Sequence, residues 1–143
     1  MQARRALLAT VAVGATVLAA GGANALSWSP ASCDAFRRSV LDHGGFVRAS
    51  VVRTWDHRAG EEQSSAQAEV RVEEAILGRV PRGLTMVFTA TASEIGGTRF
   101  GYIPSEGDEA VLFLDRDPGR PWVVRSAMSA EHYDRYWVPR CAF

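Results

Sequence analysis

Residues 109–115 read Glu-Ala-Val-Leu-Phe-Leu-Asp, a nearly continuous apolar run enclosed by two acidic residues. Turn residues flank the run, with Gly107 before it and Asp117-Pro118-Gly119 after it. A short apolar run bounded by turn signals is typical of a strand that is buried in the middle of a sheet. We therefore predict a central β-strand at this place.

Further stretches of the chain also have the alternation or the β-branched content of strands. They lie at 46–55, 68–77, 84–91 and 122–127. In the second of these, Ala68, Val70 and Val72 alternate with charged residues, which predicts a strand with one buried face. Together with the central run they give five strands separated by turns.

One helix precedes the predicted strands. Cys33, Phe36 and Val40 recur at helical spacing. Ser32 is placed to cap the helix at its start, and Gly44-Gly45 ends it after about ten residues. One helix and five strands in a small domain predict a mostly β fold, a five-stranded OB-fold-like barrel with a flanking N-terminal helix. A β-sandwich would usually have seven strands.

The first 25 residues have the order of a secretory signal peptide. Arg4-Arg5 precedes the uncharged run 6–20, and Ala23-Asn24-Ala25 provides small residues for cleavage. The uncharged run is shorter than the roughly 20 apolar residues that span a bilayer. We therefore predict a signal peptide at 1–25, a single mature domain at 26–143 without a stable membrane anchor, and a secreted or periplasmic location.

The predicted mature domain contains two cysteines, Cys33 and Cys141. In an oxidising compartment such a pair normally forms a disulfide. The alternative is two free thiols that serve as metal or redox ligands. Since the chain has no Cys-x-x-Cys motif and no histidine close in sequence to either cysteine, we favour the disulfide. Closing a loop of roughly 108 residues would contribute about 4–5 kcal/mol in the chain-entropy model.

Composition and motifs argue against several function classes. Removing Arg4 and Arg5 leaves 14 basic and 16 acidic residues, a net charge of −2, which does not favour nucleic-acid binding. The histidines His43, His57 and His132 have no metal-ligand spacing, and we expect them on exposed segments.

No phosphate loop and no Gly-x-Ser-x-Gly motif is present in the sequence. We expect no metal, no cofactor and no enzymatic activity. A triad built from distant residues stays open, so a small extracytoplasmic hydrolase or ligand-binding barrel is the alternative.

The segment 93–108 is rich in glycine and is predicted to be one long loop, of the kind that carries function on rigid β scaffolds. Arg99, Phe100 and Tyr102 are of residue types that anchor interfaces. We predict that they contact a protein partner. The alternative is a wide turn without a binding role. The four tryptophans and the C-terminal aromatic residues are expected to pack against the barrel.

The order of these features resembles the netrin-like domain, the fold shared by tissue inhibitors of metalloproteinases and small bacterial secreted relatives. A cysteine, Cys33, follows the export signal. Residues 45–51 (GFVRASV) resemble the family's first strand. Residues 70–81 (VRVEEAILGRVP) resemble its strand, Leu-Gly and x-Pro passage, and 107–114 (GDEAVLFL) its Gly-x-x-Tyr-Leu-Val-Phe strand. The resemblance covers roughly residues 33–125.

The resemblance implies a barrel that binds a protein, with an extracytoplasmic protease as one such partner. In the inhibitors the first cysteine is the mature N terminus and its amine binds the protease zinc. Here Cys33 lies seven residues beyond the predicted mature start at Leu26, and Ile95-Gly96-Gly97 stands where the family often has Cys-Gly.

We therefore expect a non-catalytic protein-binding module. Its predicted contact surface combines the segment around Cys33 with the loop 93–107. A structural module of the cell envelope is the third hypothesis.

Overall fold

The computed structural model describes residues 29–143, and the predicted signal peptide lies outside them. Helix α1 (Pro30–His43) comes first. The six strands are β1 (Gly44–Ala59), β2 (Gln63–Leu77), β3 (Thr85–Ile95), β4 (Thr98–Gly101), β5 (Glu109–Asp115) and β6 (Val123–Ser129). A short helix α2 (Ala130–His132) then continues into a π-helical turn (Tyr133–Trp137).

All six strands form one antiparallel sheet in the order β4-β3-β2-β1-β5-β6. The sheet coils until β3 approaches β6, which gives a nearly closed barrel. The predicted mostly β barrel with an N-terminal helix is confirmed. The strand number is six, because β4 lies within the segment that we predicted to be one long loop.

The barrel interior is filled by small and aliphatic side chains. On β1 and β2 these side chains alternate with exposed or half-buried ones, as the sequence alternation predicted. The interior cluster consists of Val47, Ala49, Val51, Val70, Val72, Val80, Met86, Ala110, Leu112 and Leu114. This core belongs to the barrel alone, and the helix does not contribute to it.

A second core lies outside the barrel, between α1, the outer face of β1 and the C-terminal segment. The Phe46 ring is completely buried there, 5.3 Å from the ring of Phe36 and 5.7 Å from that of Trp137. Tyr133 and Phe143 complete it, at 5.4 and 6.2 Å from Phe46. We call these five side chains the outer aromatic cluster. The expectation that the C-terminal aromatic residues pack on the barrel holds for Tyr133 and Trp137.

A disulfide joins Cys33 to Cys141, with 5.5 Å between their Cα atoms and a sequence separation of 108. The bridge connects the first turns of α1 to the C-terminal tail, directly beside the outer aromatic cluster. The predicted pairing is confirmed, and a disulfide is compatible with an oxidising compartment.

Helix α1 begins earlier than we predicted. Ser29, rather than Ser32, is the capping residue, and its hydroxyl accepts a hydrogen bond from the backbone N–H of Ser32 at 3.2 Å. Pro30 occupies the first helical position, where proline is favoured because its missing N–H needs no partner. The helix consequently has 14 residues instead of about ten, and it ends at Gly44 as expected.

Candidate functional site

The hairpin of β3 and β4 contains the one strand among residues 29–143 whose residues are all exposed, β4. Gly96 and Gly97 form its two-residue turn, with φ angles of 58° and 78°. Both angles lie in the left-handed region, which matches the type I′ turn that suits the twist of antiparallel strands. Ile95 pairs with Thr98, and Glu94 pairs with Arg99. The predicted long loop is therefore a hairpin over its first part.

The remaining loop, residues 102–108, is bound to the barrel. The N–H of Gly107 donates to the carbonyl of Val51 at 2.9 Å, and the N–H of Val51 donates to the carbonyl of Asp108 at 2.9 Å. The Asp108 carboxylate also accepts a hydrogen bond from the N–H of Ser105 at 2.8 Å. These bonds hold the loop against the middle of β1, so only the hairpin extends freely.

Two large apolar side chains lie together on the outer face of the hairpin. Ile95 is 67 % exposed and Phe100 is 55 % exposed. Ser93 is paired with Phe100, and Ile95 lies two residues beyond Ser93, so all three side chains share one face of the sheet. The face is the outer one, because Ala90 and Ala92 on the alternate positions of β3 are buried. We call Ile95 and Phe100 the apolar hairpin face.

Arg99 lies on the opposite face of β4 and is exposed. Glu94 is its cross-strand neighbour in the register. Within residues 29–143, however, the Arg99 guanidinium has no ion pair. The predicted contact residues Arg99 and Phe100 are thus both accessible, on opposite faces of one strand.

Tyr102, the third predicted contact residue, lies in a different environment from Arg99 and Phe100. Its ring is half-buried against the barrel core, and its hydroxyl donates to the Asp108 carboxylate at 2.9 Å. Burial, followed by the hydrogen bond and the charge of Asp108, raises the pKa of the Tyr102 phenol above its ordinary value. Tyr102 therefore connects the loop to the barrel, whereas Ile95, which we did not single out, takes its place among the accessible side chains.

The segment around Cys33 and the hairpin do not form one surface, contrary to our expectation. Helix α1 packs on Phe46, where β1 pairs with Leu77 at the end of β2. The hairpin lies beyond the other end of the same strands, where Gln63 pairs with Ser93. The length of β1 separates the two regions, so the hairpin and the disulfide-bonded segment are two separate surfaces.

The histidines are exposed, as predicted, and no hydrogen bond between a histidine imidazole and a serine or a carboxylate is present within the described range 29–143. The His57 ring lies 3.1 Å from the Thr54 hydroxyl, and the His132 ring lies 4.9 Å from the Tyr136 ring at a tilt of 48°. A cleft of about 410 Å³ includes His43 and Trp122 but no serine. In the same range, no three His, Cys, Asp or Glu residues are grouped so that they could hold a metal ion. No polar or charged residue of this range is buried.

Arg48 carries the densest group of charges in the described chain. Its guanidinium contacts the carboxylates of Glu74, Glu109 and Asp134 and lies 5.2 Å from the ring centroid of Tyr133. The hydrogen bond to Asp134 is the largest of the contributions that raise the Arg48 pKa. Since the four partners come from β2, β5 and the C-terminal turn, the network fixes the tail on the barrel and does not form an open site.

Comparison with known proteins gives no family for the chain. A scan against protein-family models, a search of curated proteins and a search of solved structures each returned no match. No helix among residues 29–143 has the length and apolar character that crossing a bilayer requires.

Proposed function

We propose that this protein is a secreted or periplasmic, non-catalytic module that binds another protein through its apolar hairpin face. The observation that carries the proposal is the adjacent exposure of Ile95 and Phe100 on a strand pair at the edge of the sheet. Large apolar side chains that are exposed next to one another are characteristic of interaction surfaces. The resemblance to netrin-like domains makes an extracytoplasmic protease the first partner to examine.

The binding experiment uses the exported protein, immobilised, to capture partners from the extracytoplasmic fraction of the cells that produce it. The captured protein is then titrated against the wild type and against Ile95→Ser/Phe100→Ser. We expect the double variant to bind roughly tenfold more weakly or worse, because truncated apolar anchors dominate interface energies. If the captured protein is a protease, its activity is measured with and without the module.

The matched control is Leu41→Ser/Val123→Ser, which removes two other apolar side chains that are 53 % and 54 % exposed. This variant should bind within about twofold of the wild type, since isolated exposed apolar residues elsewhere have no assigned role. Equal losses in both double variants, or the absence of any saturable partner, would contradict the proposal.

Export is examined separately, by N-terminal sequencing of the protein from the same fraction. The mature chain should begin at Leu26, because the small residues at Ala23 and Ala25 fit the cleavage pattern. Recovery of a chain that still begins at Met1, in the cytoplasmic fraction only, would refute this part of the proposal. A mature start at Cys33 would instead bring the chain closer to the zinc-binding inhibitors that it resembles.

A further inference from the structure

We infer that the partner binds by adding an extended segment to the free edge of β4, as one more strand of the sheet. This inference rests on the proposed function, since it describes how the same hairpin would recognise its partner. Strand β4 is the terminal strand in the order of the sheet. Along 29–143, no backbone hydrogen bond other than those to β3 reaches Thr98–Gly101.

The turn determines which backbone groups of β4 are free. In a hairpin with a two-residue turn, the residues that flank the turn exchange both backbone hydrogen bonds, and the next pair does not. Ile95 and Thr98 flank the turn, so Glu94 and Arg99 form the pair without mutual hydrogen bonds. The N–H and C=O groups of Arg99 therefore point away from β3. An extended segment can donate to this carbonyl and accept from this N–H.

Side chains on the outer face set one requirement for the added segment. Successive residues of a strand point to opposite faces, and directly opposed residues share a face. A residue that lies opposite Phe100 would therefore join the apolar hairpin face and cover part of it. An apolar side chain at this position removes apolar surface of both partners from water.

The other face sets a requirement of charge. A residue that lies opposite Arg99 would share the face of its guanidinium, which has no ion pair within 29–143. A carboxylate at that position would form a cross-strand pair with Arg99. The geometry thus selects an extended segment in which an acidic residue is next to an apolar one. Apolar and polar residues alternate along such a segment, as they do in a half-buried strand.

The experiment selects binders from a phage-displayed library of random ten-residue peptides on the immobilised exported protein. We expect enrichment of peptides that alternate apolar residues with Asp or Glu. A selected peptide should bind roughly tenfold more weakly to Arg99→Pro, which lacks the outward N–H, because proline at an edge position disturbs only the free side of the strand. Arg99→Gln keeps that N–H and should lose only the preference for acidic peptides.

Amide hydrogen exchange tests the inference without any variant. In the free protein the amides of Thr98 and Phe100 donate within the hairpin, whereas the Arg99 amide faces water. Peptide binding should slow exchange at Arg99 by at least about tenfold and leave the other two amides nearly unchanged. Failure of the library to enrich such peptides, unchanged exchange at Arg99, or a hairpin-dependent dimer of the protein in place of peptide binding would overturn strand addition.

The two proposals fail in different ways. If a captured partner loses affinity for Ile95→Ser/Phe100→Ser but does not slow exchange at Arg99, strand addition is wrong and the apolar hairpin face remains the binding surface. If that partner binds the double variant normally, the proposed function is wrong, whatever the peptides do.

Discussion

Phe46 and Phe100 are the same residue type in opposite situations. Phe46 is completely buried in the outer aromatic cluster, beside the disulfide, whereas Phe100 is 55 % exposed on β4, a strand that pairs with only one neighbour, β3. The cluster is held by a helix, a covalent bond and the charges around Arg48. One end of the barrel is therefore packed and cross-linked, whereas the other exposes apolar side chains, and it is this second end that we propose as the binding surface.

The largest expected effect comes from truncating the two phenylalanines. Phe46→Ala should lower the free energy of unfolding by about 3–5 kcal/mol, because it removes a buried ring and leaves a cavity. Phe100→Ala should change it by no more than about 0.5 kcal/mol, as for most surface positions. Denaturant unfolding measures both. If Phe46→Ala does not fold, Phe46→Leu is measured instead and should give a smaller loss. A large loss of unfolding free energy in Phe100→Ala would contradict the division of roles between the two ends.

The disulfide gives the next effect. Cys33→Ser/Cys141→Ser should lower the free energy of unfolding by about 2–5 kcal/mol, since the bridge constrains nearly the whole described chain in the unfolded state. Binding at the hairpin should be unchanged as long as the variant is folded, because the bridge lies at the other end of β1. Thermal unfolding and a binding titration on one preparation give both values. A loss of binding in the folded variant would show that the two ends are coupled.

Tyr102 connects the hairpin side of the molecule to the barrel. Tyr102→Phe should lower the free energy of unfolding by about 0.5–1.5 kcal/mol, because the hydrogen bond to Asp108 is lost. The loop 102–108 should then lose order before the rest of the domain. Amide hydrogen exchange measures that order, with the amides of β5 as the internal reference. Unchanged exchange throughout residues 102–108 would mean that the bond to Asp108 does not hold the loop.

A smaller effect is expected at alkaline pH. The pKa values of Tyr102 and Tyr133 are both raised in the folded state, in each case mainly by burial. The unfolded chain therefore releases these protons first. Stability should be fully present below the unfolded-state pKa of about 10 and should fall as the pH rises above it. Unfolding midpoints between pH 8 and 11 should fall less steeply in Tyr102→Phe and in Tyr133→Phe. If the unfolding midpoint fell as steeply with pH in both variants as in the wild type, the two tyrosines would not be the cause of the alkaline loss of stability.

Much of the barrel was predictable because its signals are local. The alternation through Val70 and Val72 and the apolar run 109–115 depend only on which side chains face the interior. The disulfide followed from the predicted compartment and the even number of cysteines. The start of α1 was missed because Ser29 and Ser32 are both competent caps, and only the position of Pro30 distinguishes them.

The hairpin was missed for a different reason. All four residues of β4 are exposed, so the strand has no alternation of buried and exposed positions. The available signal was Gly96-Gly97 between β-forming residues, which is a type I′ turn pattern. Exposure of Ile95 and burial of Tyr102 depend on where β3 extends past the barrel and where the chain returns to it. Such long-range placement is not encoded in the residues next to them.

The most direct test of the division between the two ends is a paired measurement on Ile95→Ser/Phe100→Ser, in which thermal unfolding and partner binding are recorded on the same preparation. We predict an unfolding midpoint close to that of the wild type together with a loss of roughly tenfold or more in affinity. Wild-type affinity in this folded variant would contradict the account.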